Sequence, residues 1–310
     1  MQLLHSATRN YSWGSRTLIP HLQGQPDSDK PVAELWFGAH PGDPSTVDGR
    51  LLNEVIAEDP AGQLGSRVSA EYGERLPFLL KVLAAEEPLS LQAHPSKTQA
   101  EEGFARENAA GIELTASNRN YKDDNHKPEL IVALTDFYAM AGFRPLARTR
   151  ELFAALECPE LDHYVAMLDD DPSATTESAN LRVLFTTWIT IPAAKRKELI
   201  SAIVAAGERL IAADPADWKS RVMSTVLDLN QRYPGDIGVL GALLLNHIEL
   251  SPGEAVYLDA GQLHAYVSGL GVEIMANSDN VLRGGLTPKF VDVPEPVSYT
   301  HLTLPTKRIV

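Results

Sequence analysis

The sequence predicts a mainly β fold, a barrel or sandwich, interrupted by an α-helical insertion. Three observations predict it. Residues 1–145 are rich in Gly and Pro, with short apolar runs between turns such as Pro41-Gly42-Asp43-Pro44, a texture of short strands. From Leu146 to Arg232 apolar residues recur instead at helical spacing. Past Tyr233-Pro234-Gly235-Asp236, which reads as the close of the helical section, alternation returns in Asn246–Leu250 and Ala255–Leu258 across the turn Ser251-Pro252-Gly253. A helical block between two stretches of strand, without alternating βαβ units, is an insertion.

Each element follows from local pattern. Leu89 to His94 and Glu129 to Leu134 alternate with period two. Between them Lys97–Ala116 is polar and rich in Ala and Glu, a helical excursion between strands. Leu181, Leu184, Phe185 and Trp188 form one helical stripe, and Leu199, Ile203, Leu210 and Ile211 another. Asp214-Pro215 reads as an N-cap followed by proline in the first turn, with Trp218, Val222, Val226 and Leu229 on one face of the helix beyond. Asp259-Ala260-Gly261 reads as a tight turn into a strand bearing His264 and Tyr266. Glu273 is placed on a further strand past Gly269-Leu270-Gly271.

The 310 residues, 44% of them hydrophobic, are enough for a full core and two or three domains of roughly 100–200 residues each. The single cysteine, Cys158, forms no internal disulfide and reads as a buried apolar side chain, so a reducing cytoplasm is the expected location. No run reaches the ~18 apolar residues of a membrane span, and no membrane partner is expected. A net charge of −14 repels a nucleic-acid backbone. A phosphorylated ligand would therefore need cations concentrated locally.

Four polar clusters carry chemistry. Gln92 and His94 lie two apart and share a strand face; alone, they are also what an ordinary polar strand offers. Asp124-Asn125-His126-Lys127-Pro128-Glu129 leads into an apolar strand, where a carboxylate at the start needs a cation or metal to offset its desolvation. His264 adds a second imidazole. Two imidazoles, a carboxylate and an amide oxygen suit Zn²⁺ or another divalent first-row ion with positions left open. The last cluster, Asn277 to Lys289, sets Arg283 and Lys289 around Gly284-Gly285 and supplies the local positive charge; as a bare motif it is equally a basic surface loop.

Taken together, Leu89–Lys97, Asn125–Glu129, Gly261–Tyr266 and Ser278–Lys289, with Asn10–Gly14 and Pro31–Gly38, resemble the signature blocks of the type I mannose-6-phosphate isomerases, in the family's order and over roughly residues 1–290. The resemblance implies a cupin-type jelly-roll catalytic domain over residues 1–145 and 236–296, with a helical domain over 146–235. It implies one Zn²⁺ per chain held by Gln92, His94, Glu129 and His264, and an essential arginine at Arg283. Other active-site positions fall on Trp13, Ser90, Lys127, Tyr266, Glu273, Asp279 and Lys289, with Lys97 close by. The implied reaction interconverts mannose 6-phosphate and fructose 6-phosphate through an enediol, in a cytoplasmic monomer. The proton-shuttling base falls to Glu273 or to Asp279 with His126. Family members continue into a second jelly-roll domain; residues 297–310 do not resemble it, so an aberrant or truncated tail and exposed apolar surface are expected.

Two other readings share the donor set. A non-haem iron oxygenase also uses two His and a carboxylate but has no need of Arg283 and Lys289. A sugar-binding module could keep the barrel without catalysis.

Overall fold

The computed structural model describes residues 2–168, 174–288 and 291. The expected tail, 297–310, and Lys289 lie outside them. In chain order the elements are β1 (Leu4–His5), β2 (Ala7–Arg9), α1 (Leu18–Leu22), β3 (Glu34–Gly38), β4 (Thr46–Val47), β5 (Arg50–Leu51), α2 (Leu52–Glu58), α3 (Pro60–Leu64), α4 (Ser66–Tyr72), β6 (Phe78–Ala85), β7 (Leu91–Ala93), α5 (Lys97–Ala109), β8 (Glu129–Ala133) and β9 (Phe137–Phe143). The helical section follows: α6 (Leu146–Leu156), α7 (Pro159–Val165), α8 (Ala174–Thr190), α9 (Ala193–Ala213), α10 (Trp218–Arg232) and α11 (Ile237–Ala242). The chain returns to strand in β10 (Leu245–Leu250), β11 (Ala255–Leu258), β12 (His264–Ala276) and β13 (Leu282–Gly285).

Apart from a small antiparallel sheet of β1, β4 and β5, the strands pair antiparallel in two layers that share β12. One layer runs β2, β3, β6, the C-terminal half of β12, β8 and β11. The other runs β10, β9, the N-terminal end of β12, β7 and β13. The expected pair of strands either side of Gly269-Leu270-Gly271 is therefore one strand. Its register against β9 shifts between Tyr266 and Ser268, and it turns from one layer to the other at Gly269, where φ is +123°. A side chain there would put its Cβ 2.7 Å from the Asp136 carbonyl oxygen, so only glycine fits the corner.

Between the layers Leu83, Ile131, Phe137, Leu250, Leu258 and Tyr266 pack as one cluster. The helices do not build a separate core. Leu181, Leu184, Phe185 and Trp188 of α8 join Leu91, Met140 and Leu245 of the second layer in one continuous buried cluster. Both predicted stripes face it, with Leu199 and Ile203 buried and Leu210 and Ile211 partly so. On the outer side of the first layer Phe37, Leu80, Ile274, Leu130 and Tyr257 stand in register across five strands, with Ile274 41% and Tyr257 42% exposed.

Three boundaries differ from expectation. α5 stops at Ala109 rather than Ala116, its end followed by Gly111 in the left-handed region. α10 is capped by Asp217, whose carboxylate accepts from the Lys219 amide, while Asp214 only closes the turn before it. Asp236 does not end the helical section: its carboxylate accepts from the Gly238 amide and caps α11.

Candidate metal centre

Gln92 on β7 and His264 at the start of β12 are register partners, His94 follows β7, and Glu129 opens β8. These placements bring three of the four expected ligands together. His94 Nε2 lies 3.1 Å from Glu129 Oε1, and His264 Nε2 lies 3.3 Å from Glu129 Oε2. One ligand atom from each of the three falls within 4.8 Å of the others, in a fully buried group. The Gln92 amide stands 3.5 Å from His264 Nε2, close enough for its oxygen to complete the set after an amide rotation.

The donors fit a divalent ion. His94 Nδ1 is 2.9 Å from the Asn280 carbonyl and His264 Nδ1 2.9 Å from the Gln262 carbonyl, which fixes Nδ1 as the N–H and turns each Nε2 lone pair inward. His94 Nε2 and Glu129 Oε2 are buried without a hydrogen-bond partner, a cost that an ion between them removes. Burial, with Lys127 and His264 opposing Glu129, brings the His94 pKa down to about 4 and keeps the ring neutral. Burial works against the Glu129 charge, yet His94, Lys127 and His264 outweigh it and hold its pKa well below the usual carboxylate range. Lys127 Nζ lies 3.2 Å from Glu129 Oε1.

A second buried unit adjoins it. Tyr266 shares the face of His264, with ring centroids 6.0 Å apart, and its hydroxyl donates to Glu273 at 2.9 Å. Lys81 of β6, directly across from Glu273 in register, reaches Glu273 at 3.2 Å and Glu34 at 3.6 Å. The Trp36 indole donates to Glu34 at 2.7 Å. Burial opposes the charge on Lys81, but the two carboxylates outweigh it and raise its pKa. Burial raises the pKa of Glu273, against the pull of Lys81.

At the mouth, Arg283 stands opposite Gln92 in the β13–β7 ladder. Its side chain is half-buried and makes no hydrogen bond or ion pair among the described residues, and burial lowers its pKa. Asp279 does not pair with His126, as expected above. Its carboxylate lies 3.4 Å from His40 Nε2, a contact that, against some desolvation, lowers its pKa to about 2. His126 Nδ1 is buried without a partner. Lys97 is turned outward, held by Glu101 at 3.3 Å and by the Asp124 carbonyl at 2.7 Å. Trp13 stacks on Tyr11 and packs against the inter-layer cluster, and Ser90 immediately precedes β7.

Sequence reasoning missed Lys81, Glu34 and Asn280. Lys81 reads as a solvent-facing residue of an apolar strand, and only its partners on other strands reveal the network. Asn280 is fully buried and binds the Lys122 amide and the Asp123 and Asn125 carbonyls, so the loop carbonyl that orients His94 is itself fixed.

A family profile described as phosphomannose isomerase type I, catalytic domain, matches residues 1–146. The mannose-6-phosphate isomerase of Escherichia coli (strain K12) is 42% identical over 306 residues, spanning 96% of this chain and 74% of that protein. The chain belongs to the type I phosphomannose isomerase family. The Homo sapiens mannose-6-phosphate isomerase is 37% identical over 98% of this family member and 76% of the human chain. A crystal structure of the Salmonella typhimurium mannose 6-phosphate isomerase bound to substrate (f6p) and zinc superposes with a TM-score of 0.86 at 38% identity, covering all of this chain and 76% of that one. The present family member thus spans about three quarters of the length of its relatives, and carries their cupin-type fold with helices. Among its described residues no helix is long and apolar enough to cross a membrane.

Proposed function

We propose that this chain is a zinc-dependent aldose–ketose isomerase that interconverts mannose 6-phosphate and fructose 6-phosphate. The observation that carries the reading is the buried His94–Glu129–His264 group with two unpartnered donor atoms pointing inward. His94, Glu129 and His264, with Gln92 as the fourth donor, would hold the ion, which when bound supplies Lewis-acid stabilisation of negative charge on the substrate oxygens. Arg283, half-buried without a counter-ion beside this group, binds the phosphate. An unpaired guanidinium so placed is what a phosphate ligand requires, and it favours an isomerase over an iron oxygenase built on the same donors.

The proton moving between C1 and C2 through the enediol is carried by Glu273. Its oxygens are held by Tyr266 and Lys81, and its raised pKa brings it nearer the working pH. Lys127 steadies the Glu129 charge. Asp279, beside His40, and His126, whose Nδ1 is buried without a partner, are assigned to ring opening; Trp13, Ser90, Tyr266, Lys97 and Lys289 are assigned to substrate contacts. The catalytic unit comprises residues 1–145 and 236–296, and the helical unit 146–235.

Isomerase activity on mannose 6-phosphate before chelation, after it, and after zinc return tests the assignment. Activity lost and restored supports it; activity indifferent to metal overturns it. Glu273→Gln should abolish exchange of the substrate C2 proton with solvent while zinc stays bound; retained exchange moves the role elsewhere.

A further inference from the structure

Where β10 meets the helices, remote from the metal centre in sequence, Arg144, Arg148, Trp218, Arg221, Asn246 and His247 line a cleft of about 340 Å³. Arg144 is only 4% exposed. It donates to the Leu243 and Leu245 carbonyls at 3.0 and 2.7 Å, which leaves guanidinium N–H groups over, and it makes no ion pair among the described residues. Burial and the nearby Arg148 together lower its pKa to about 10. The Arg148 guanidinium lies 4.0 Å above the Trp218 ring, with Arg144 and Lys219 each 5.5 Å from the same ring. Arg221 donates to the Ala216 carbonyl and makes no ion pair among the described residues, though it lies close enough to Asp217 to help lower that carboxyl's pKa.

The local charges do not balance. Glu151 is shared between Arg148 at 3.6 Å and Lys219 at 3.5 Å, and Asp217 is taken by Lys219 at 2.8 Å. Among the described residues four cations thus face two carboxylates, in a protein whose net charge is −14. Like charges gathered this closely repel unless an anion lies among them. The other polar groups add no negative charge. Burial, then Arg144, brings the His247 pKa down to about 4 and leaves the ring neutral, and the Asn246 amide nitrogen donates to the carbonyls of residues 141–143.

We propose that this cleft binds a compact oxyanion of the phosphate or phosphate-monoester class, gripped by Arg144, Arg148 and Arg221. The site is separate from Arg283 and does not depend on the isomerase reading. Calorimetric titration of the full zinc-loaded chain with inorganic phosphate, and in parallel with glycerol 3-phosphate, tests it. The wild type should take up two phosphates per chain, Arg148→Ala/Arg221→Ala one, and Arg283→Met the other one. If Arg283 does not bind phosphate, the counts become one and none for the first two, which keeps the two readings distinguishable. In Arg283→Met, whichever compound binds more tightly identifies the source of the anion. Arg148 and Arg221 are exposed, so the double variant should fold, and Arg221→Glu alone provides a second check, with at least tenfold weaker phosphate binding at this site. Equal stoichiometry and affinity in wild type and double variant would overturn the proposal.

Discussion

Replacing Lys81 by Met removes the one cation that, among the described residues, pairs with both Glu34 and Glu273, whose side chains are 7% and 2% exposed. With so little solvent around the group, screening offers no relief. Removing one partner of a buried ion pair costs roughly 3–5 kcal/mol, which at roughly 2–3 °C per kcal/mol for a large domain lowers the melting midpoint by about 6–15 °C. The loss should depend on pH. Burial already raises the Glu273 pKa against the pull of Lys81, and without Lys81 it stands further above the ~4.3 of an unfolded Glu. The native state then binds more protons than the unfolded one, and stability falls as pH rises. In the wild type the raised Lys81 pKa contributes stability that is fully present below the unfolded lysine value and is lost only as pH rises through the higher folded one, so it is constant through neutrality. Circular-dichroism melts of wild type and variant at about pH 5.5 and about pH 8 measure both effects. A midpoint drop under about 2 °C, or a larger drop in acid than in base, would refute the account of this network.

Arg283→Met should lower kcat/KM by roughly 10- to 100-fold, the worth of one charge-assisted contact at about 1.5–3 kcal/mol, without lowering the melting midpoint, since the guanidinium makes no hydrogen bond or ion pair among the described residues; a destabilised variant with unchanged kinetics would contradict the phosphate role. Glu129→Gln removes the charge that both imidazoles face, and zinc measured by elemental analysis should drop from about one per chain to a small fraction; full zinc content would count against the centre. Gly14→Ala sets a Cβ 2.5 Å from the Ala33 Cα, a clash with backbone that should destabilise by about 1–3 kcal/mol in chemical denaturation, and a neutral result would show that the two segments separate easily there. Ile274→Lys, in the middle of the exposed apolar row, should reduce binding of a hydrophobic dye at unchanged melting midpoint; undiminished fluorescence would place the dye elsewhere.

The candidate metal donors were legible because their chemistry is local. Gln92 and His94 alternate with apolar neighbours, and Glu129 sits at the head of an apolar run where a bare carboxylate is costly. The helical stripes were legible for the same reason, since 3.6-residue periodicity survives without knowledge of the partner. What was missed depends on contacts between distant strands. Lys81 looks like any polar residue among Leu79, Leu80, Val82 and Leu83 until Glu34 and Glu273 are placed on either side of it. The short helices α2–α4 and α11 have too few turns to show a period. Asp214 and Asp217 are both plausible caps, and only the folded backbone distinguishes the one that receives the amide.

His264 and Glu273 ride on one unbroken strand that passes from one layer to the other at Gly269. A single spacing therefore governs both the ion-holding group and the buried carboxylate. Deleting one residue between them would leave the imidazole in place and send the carboxylate to the opposite side of the strand, toward the row that carries Ile274. Evolution can alter either end of this strand by substitution, but a change in its length unmakes both at once.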